Sequence, residues 1–169
     1  IAPMTFFEAN NGRANVNYGK GGIYKANCQS CVVVHEARLR GLDITALGYS
    51  SNKESMQFKL GEHFEMAWIN PKTGKAPSPT IIKGDDLLRR AATQMQAVGR
   101  YHVGINYNEE TGHVITIEKI ANNRFLLYDP QNGNFLNFNQ LIDAQSLEIL
   151  KVDKLVLDKG VLKAISEII

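Results

Sequence analysis

The chain contains only two cysteines, a formal net charge of +2 and no long apolar run in its 169 residues. Two cysteines are too few for a disulfide framework. So small a net charge does not favour nucleic acid as a partner, because phosphate recognition needs concentrated basic residues. No apolar run approaches the roughly 20 residues of a membrane-spanning helix. We therefore expect neither a nucleic-acid nor a membrane partner.

What is present is the composition of a folded globular protein, with 44% hydrophobic and 21% charged residues. A chain of this length can bury most of its apolar surface without crosslinks, so we expect a single domain over residues 1–169. The amino terminus, Ile1-Ala2-Pro3, lacks the basic and apolar segments of a secretory signal. We expect the chain to be the carboxy-terminal part of a larger protein that carries the delivery signals.

Cys28 begins the clearest predicted helix of the front half, over residues 28–40. Apolar residues recur there at intervals of three and four, which is typical of one buried face. Asn27 is a favoured N-cap, and Gly41 can end the helix in a left-handed conformation. The unpaired N–H groups and the dipole at a helix N-terminus favour thiolate over thiol. We therefore expect the nucleophilic form of Cys28 to be populated near neutral pH.

Cys31 lies one helical turn further along and leaves several interpretations open. It can be a small core residue, because free cysteine is often buried. A redox pair of the thioredoxin type needs a preceding strand, whereas the glycines of residues 19–22 indicate a loop. A zinc site needs two more ligands, and the four histidines show no zinc-finger spacing. We expect no metal and no other cofactor.

The remaining pattern predicts irregular structure in front and an antiparallel sheet behind. We expect residues 1–26 and 50–84 to be largely loop, the second around a short segment at 64–69. A short strand is predicted at 42–47, and an amphipathic helix at 85–99. The back half is predicted to contain a short helix at 140–144 and strands at 101–107, 113–120, 124–128, 146–152 and 155–157. The fold class is therefore α+β, with the cysteine-bearing helix packed on an antiparallel sheet.

A tight turn at residues 122–123 would pair two of these strands, with Ala121 opposite Arg124. Continued outward, this register brings His113 and Asp129 to the same end of adjacent strands, offset by about three residues. A longer loop or a one-residue bulge would close that offset. A carboxylate there can bind one imidazole nitrogen and leave the other to take the thiol proton. Each residue alone has an ordinary structural explanation, but their common order favours a catalytic one.

Four segments carry a resemblance to a known family: Asn15-Val16-Asn17-Tyr18, Asn27-Cys28-Gln29-Ser30-Cys31-Val32-Val33 with Arg38-Leu39-Arg40-Gly41, Gly112-His113, and Asp129-Pro130-Gln131. Their order resembles the papain-like superfamily. It is more closely similar to papain-fold toxin domains, described as glutamine deamidase-like, of bacterial polymorphic toxins and some phage-head or mobile-element proteins. The resemblance implies that Cys28 is the nucleophile, His113 the base and Asp129 the orienting acid.

The sequence departs from the papain-like pattern six residues before Cys28, where such proteases carry an oxyanion-hole glutamine and this chain has Gly22. Glycine has no side-chain donor. The candidates for oxyanion stabilisation or support are the Cys28 N–H group and the side chains of Asn15, Asn17, Asn27 and Gln131. Residue choice in papain itself favours the second cysteine of a Cys-x-x-Cys pair, so Cys31 remains the rival nucleophile.

The resemblance implies a cysteine-dependent, papain-like catalytic domain of a toxin, which deamidates glutamine in a target protein through a Cys-His-Asp triad. The alternatives are a papain-like peptidase, a transglutaminase or an inactive papain-like binding module. A nuclease toxin is disfavoured by the small net charge. The resemblance also implies a cognate immunity protein as a partner, secretion or delivery into a neighbouring cell, and a role in interbacterial competition.

Overall fold

A computed structural model describes residues 2–10 and 12–169, and it has the predicted α+β fold class. Predicted features that fall on Ile1 and Asn11 lie outside the described residues. The helices are α1 (Phe6–Ala9), α2 (Cys28–Leu39), α3 (Met56–Glu62), α4 (Leu87–Gln94) and α5 (Lys159–Ile165). Short 3-10 helices lie at Arg13–Asn15, Tyr18–Lys20, Gly22–Lys25, Phe64–Ala67 and Phe138–Leu141. Within the described ranges, no helix is long and apolar enough to cross a membrane.

Ten short strands complete the secondary structure of the described residues. They are β1 (Ile44–Ala46), β2 (Trp68–Ile69), β3 (Thr80–Lys83), β4 (Gly99–Asn106), β5 (Gly112–Ala121), β6 (Arg124–Asp129), β7 (Asn134–Leu136), β8 (Ser146–Lys151), β9 (Val156–Leu157) and β10 (Ser166–Ile168). The chain forms two compact units. Unit 1 comprises the chain up to Pro77, Pro130–Gly133 and Val156–Ile169, and unit 2 comprises Ser78–Asp129 and Asn134–Leu155. The prediction of a single domain stays a prediction.

In unit 1, α2 begins at Cys28 and ends within one residue of the predicted helix. Gly41 ends it as predicted, with a positive φ of 109°. The Gly41 N–H group donates to the Arg38 carbonyl at 2.8 Å, and the Leu42 N–H group donates to the Ala37 carbonyl at 3.1 Å. This pair of bonds is a Schellman motif, which satisfies carbonyls that the last helical turn leaves unpaired.

The prediction that α2 buries one face is wrong, because every residue from Gln29 to Arg38 is buried. Its buried charge is satisfied by specific partners. The Arg38 guanidinium donates to the backbone carbonyls of Glu8 and Ala9 at 3.1 and 2.9 Å and to the Asp43 carboxylate at 2.8 Å. The side-chain hydrogen bond from Arg38 lowers the pKa of Asp43. Because its guanidinium has several hydrogen-bond acceptors, Arg38 can be buried at a position where the apolar period alone predicts exposure to solvent.

The expectation of loops in residues 1–26 and 50–84 is wrong in part. Helix α1 starts with a capping box, in which Thr5 Oγ1 accepts from the Glu8 N–H group at 3.2 Å and Glu8 Oε2 accepts from the Thr5 N–H group at 3.3 Å. Helix α3 is capped by Ser55, whose Oγ accepts from the Phe58 N–H group at 3.1 Å. These helices are short, so their signal is a local cap rather than a repeated apolar period.

Two small antiparallel pairs in unit 1 join distant parts of the chain. Strand β1 pairs with β10, and β2 pairs with β9. Helix α5 and strand β10 were not predicted from the sequence. A strand of three residues gains its stability from its partner, and here that partner lies more than 100 residues away. Periodicity within a short window therefore carries little information about it.

Unit 2 contains the predicted antiparallel sheet, with six strands in the order β3-β8-β4-β5-β6-β7. Its core combines side chains of α4 and of one sheet face, including Ala91, Met95, Val103, Ile117 and Leu127. The edge strands β3 and β7 were not predicted. Both are short, and the exposed residues in them weaken the alternating pattern.

The second predicted helix, α4, is shorter than expected. It ends at Gln94, and Val98, which was expected to pack in the core, is 61% exposed. The chain instead enters β4 at Gly99, whose backbone has a φ of 148° and pairs with Lys119. Residues 95–98, which the helical period would have included, form an irregular connection from α4 to β4 instead. The helix predicted at 140–144 is likewise replaced by an earlier 3-10 turn, Phe138–Leu141.

Candidate active site

His113 and Asp129 lie together in unit 2. The His113 Nε2 atom is 2.6 Å from Asp129 Oδ2, with side-chain exposures of 26% and 5%. An ionised carboxylate can only accept at this contact, so the bond requires a hydrogen on Nε2. The pair therefore orients the imidazole, whose side chain is partly exposed. The predicted geometry of these two residues is confirmed, whereas their catalytic role stays a prediction.

A β-bulge decides that these two side chains meet. Ala121 pairs with Arg124 as predicted, but the register shifts between Lys119 and Ala121, so Ile117 pairs with Leu127. Without this shift, the register from Ala121 would place Asp129 opposite position 116, an odd number of residues from His113. Side chains alternate along a strand, so the two side chains would then lie on opposite faces of the sheet. With the shift, Asp129 follows Leu127 by two residues and His113 precedes Ile117 by four. Both spacings are even, so the two side chains lie on the same face.

Asp129 ends strand β6, where it pairs with Asn134 of β7. The four residues between them form the connecting turn, in which Gly133 has a φ of 80°. Pro130 has no N–H group to donate to the sheet, so strand pairing ends naturally after the aspartate. The ordinary interpretation of Asp129-Pro130 as a turn opener and the interpretation as a histidine partner are therefore compatible.

Cys28 lies in unit 1 as the first residue of α2, with its side chain partly exposed. Its thiol donates to Gln29 Oε1 at 3.4 Å, and the Gln29 side chain is held by donation from Nε2 to the Gln57 carbonyl at 3.2 Å. This contact of Gln29 was not predicted from the sequence. Its only signal there is adjacency to Cys28, which does not show where an amide side chain points. The rival thiol of Cys31 is fully buried.

The predicted capping role of Asn27 is wrong. Asn27 occupies the N-cap position, but its side chain makes no hydrogen bond to the helix. Its Nδ2 donates instead to Asn15 Oδ1 and to the Leu47 carbonyl, each at 3.0 Å. Gln131 Nε2 donates to Asn27 Oδ1 at 3.3 Å. A fully buried amide finds more partners among these groups than at the helix end, which is why capping propensity fails here.

Asn15, Asn27 and Gln131 thus form a buried amide cluster within unit 1. Asn15 Nδ2 donates to the carbonyls of Tyr24 and Gln131, both at 2.9 Å. These two bonds use both of its N–H groups, so Asn15 has no amide hydrogen left for a substrate. Asn17 differs, because its side chain makes no hydrogen bond to any described residue. The structure brings three of the four predicted support residues together and leaves Asn17 apart.

In the described part of the chain, no group of three or more histidine, cysteine, aspartate or glutamate residues could hold a metal ion. The expectation that the protein uses no cofactor stays a prediction.

A cysteine at a helix start and a histidine–carboxylate pair on a sheet are the parts of a thiol-dependent hydrolase. Residues 26–134 match the family described as papain fold toxin 1, glutamine deamidase. The match covers more than half of the chain and includes Cys28, His113 and Asp129, so the protein belongs to this family of papain-fold glutamine deamidase toxins. Neither the curated proteins nor the solved structures compared with the chain gave a match.

The difference in burial between the two cysteines predicts which thiol reacts. Iodoacetamide at mildly acidic pH should modify Cys28 first, because Cys28 is partly exposed and Cys31 is fully buried. Peptide mapping by mass spectrometry would locate the label, and Cys28→Ser should abolish labelling of the folded protein. Earlier modification of Cys31 in the native protein would contradict the assignment of Cys28.

The amide cluster predicts a stability difference between two asparagines. Asn27→Ala should lower the free energy of unfolding by about 1–3 kcal/mol, because it leaves buried partners unpaired. Asn17→Ala is the matched control and should change it by less than about 0.5 kcal/mol. Urea denaturation measures both. Equal losses in the two variants would show that the cluster does not stabilise the protein.

Proposed function

We propose that this protein is a cysteine-dependent amidohydrolase that converts a glutamine of a target protein to glutamate through a Cys28-His113-Asp129 triad. The observation that carries the proposal is the 2.6 Å bond between His113 Nε2 and Asp129 Oδ2 in a chain of the glutamine deamidase toxin family. An amidohydrolase of this kind needs a nucleophile, a proton carrier and a group that orients the carrier. These three residues supply one of each.

The role proposed for Asp129 follows from its burial. Its side chain is 5% exposed, and it bonds an imidazole whose side chain is 26% exposed. A carboxylate shielded from water stabilises the imidazolium that forms during proton transfer more strongly than an exposed one would. Asp129 therefore orients His113 and supports its positive charge, while Nδ1 of His113 exchanges the proton.

The proposed reaction has two steps. The Cys28 thiolate attacks the carboxamide carbon, the C–N bond breaks, and imidazolium from His113 protonates the departing ammonia. Water then attacks the thioester while His113 takes one of its protons, and the carboxylate leaves as the thiol is restored. The balance is one glutamine and one water converted to one glutamate and one ammonium ion, because the proton released by the new carboxyl group ends on ammonia. The target gains one negative charge.

The supporting residues divide into two groups in this proposal. Asn15 and Asn27 act as positioning residues with Gln131, because their amide hydrogens serve each other and backbone carbonyls. The Cys28 N–H group and the Asn17 side chain are proposed as the oxyanion donors. Neither group donates a hydrogen bond to a side-chain cap or to another described residue. A donor without such a bond can bind the oxyanion as its charge develops.

The biological setting is part of the same proposal. Residues 1–169 act as one catalytic domain at the carboxy terminus of a larger secreted protein, which delivers it into a neighbouring bacterial cell. A cognate immunity protein protects the producing cell by covering the catalytic cleft. The support for this setting is the toxin family to which the chain belongs.

Substitutions in the triad should separate nucleophile, base and orienting acid. Cys28→Ala and His113→Ala should each lower the deamidation rate by about 10³-fold or more, and Asp129→Asn by about 10²-fold. His63→Ala is the matched control, because the His63 side chain is 65% exposed, and it should leave the rate unchanged. Ammonia release measures the rates, and thermal unfolding checks the fold. Full activity of folded His113→Ala would refute the triad.

The reaction class can be tested on a bacterial lysate with Cys28→Ala as the control. A deamidase should add about 1 Da per converted glutamine and release ammonia without creating new termini. An added primary amine should compete with water for the thioester. Cleavage fragments that depend on Cys28, without conversion of glutamine, would instead identify a papain-like peptidase. Crosslinks between glutamine and lysine would identify a transglutaminase.

A further inference from the structure

A positively charged cavity lies within unit 2, between α4 and the β5–β6 hairpin. It has a volume of about 630 Å³, and its polar lining consists of Arg89, Thr93, Gln96, Lys119, Asn122 and Asn123. Two of these side chains are cations, and none of the lining residues is acidic. A volume in this range is typical of sites for small molecules.

Lys119 is the central feature of this cavity, because it is a cation that faces the cavity and has no counter-charge among the described residues. Lys119 is only 8% exposed, and it pairs across the sheet with Phe125. Its Nζ atom lies 4.6 Å from the centroid of the Phe125 ring. Among the described residues, its ammonium group has neither a carboxylate nor a hydrogen-bond acceptor. The aromatic face attracts the ammonium group only weakly, so its charge remains available to an anion in the cavity.

Arg89 supplies the second positive charge. Its only ion pair in the described part of the chain is with Asp86, at 3.4 Å, and both side chains are about 70% exposed. An exposed pair of this kind is weak, so the Arg89 guanidinium can turn toward a ligand at little cost. Arg89, Ala92 and Thr93 follow each other on α4 at helical spacing, which directs them to the same side of the helix.

We propose that this cavity binds a phosphate monoester. A phosphate group carries a charge of nearly −2 and three acceptor oxygens. It can therefore neutralise both Lys119 and Arg89 and accept hydrogen bonds from Asn122 and Asn123. A carboxylate carries one charge and would leave one cation uncompensated. The cavity is much larger than a phosphate ion, so its remaining space fits the organic part of the ester.

The proposed site is separate from the histidine–aspartate pair. Lys119 and His113 belong to the same strand, six residues apart, which corresponds to about 20 Å of extended chain. A ligand in the cavity would not contact His113. The proposal consequently does not depend on the proposed deamidase activity, and each can fail without the other.

Titration with phenyl phosphate tests the proposal, with benzoate as the carboxylate probe and inorganic phosphate as the probe without an organic part. Binding is followed by calorimetry and by amide NMR shifts of the full chain at about 0.1 M ionic strength. Phenyl phosphate should bind saturably and at least about tenfold more tightly than benzoate, as expected for one additional charge-assisted contact. The largest shifts should fall on Asn122, Asn123 and Lys119.

Two variants and one control make the test specific. Lys119→Met keeps an unbranched side chain and should weaken phenyl phosphate binding by about tenfold or more, and Arg89→Gln should weaken it severalfold. If Lys119→Met does not fold, Arg89→Gln decides the question. Arg124→Gln removes a charge from the same hairpin outside the cavity lining and should change binding by less than about twofold. The proposal would be overturned if phenyl phosphate binding did not saturate up to about 10 mM. It would also be overturned if benzoate bound with the same affinity as phenyl phosphate, or if Arg124→Gln weakened binding as much as the two cavity variants.

Discussion

The register of the β5–β6 hairpin is the constraint on which the candidate site depends. The shift between Lys119 and Ala121 pairs Ile117 with Leu127, and both of these side chains are buried in the unit 2 core. Burial of these apolar side chains therefore stabilises the register that also places His113 and Asp129 on the same face of the sheet. A slip of one residue would move the apolar side chains out of the core and would also separate the side chains of His113 and Asp129. Packing of the unit 2 core and the contact between His113 and Asp129 thus require the same pairing of β5 with β6.

A comparable constraint operates in unit 1, where it is polar rather than apolar. Asn15, Asn27 and Gln131 are buried, and their amide groups bond each other and nearby carbonyls. Directed hydrogen bonds of this kind accept few alternative geometries, because an unmade bond in the interior costs more than a made one contributes. The cluster therefore fixes the backbone next to Cys28 more tightly than the helix start alone would.

The two charged features of unit 2 illustrate how burial changes the meaning of a residue. The Asp129 carboxylate is buried beside the His113 imidazole and bonds to it. The Lys119 side chain lies beside the Phe125 ring, and no carboxylate of the described chain pairs with its ammonium group. The first group has a hydrogen-bond partner within the protein, and the second is the cation for which we propose an anionic ligand. The sequence singled out Asp129 through its order after Cys28 and His113, whereas nothing in the sequence singled out Lys119.

The parts of the fold with strong local signals were predicted from the sequence. Helix α2 with its glycine stop, and the β5–β6 hairpin, follow from residues close together in the chain. Edge strands and short helices were missed. Strands β3, β7 and β10 have few residues, and their stability comes from partners elsewhere in the chain, which local periodicity does not report.

The sequence by itself determined the chemical groups: a cysteine at a helix start, and a histidine and an aspartate on neighbouring strands. Only the tertiary structure decided how these groups are used. The bulge beside Lys119 placed His113 on the same face of the sheet as Asp129, and the amide partners of Asn27 turned its side chain away from the helix. The reason is physical. Helix and strand periods act over a few residues, whereas burial and hydrogen bonding depend on which distant residues the fold brings into contact.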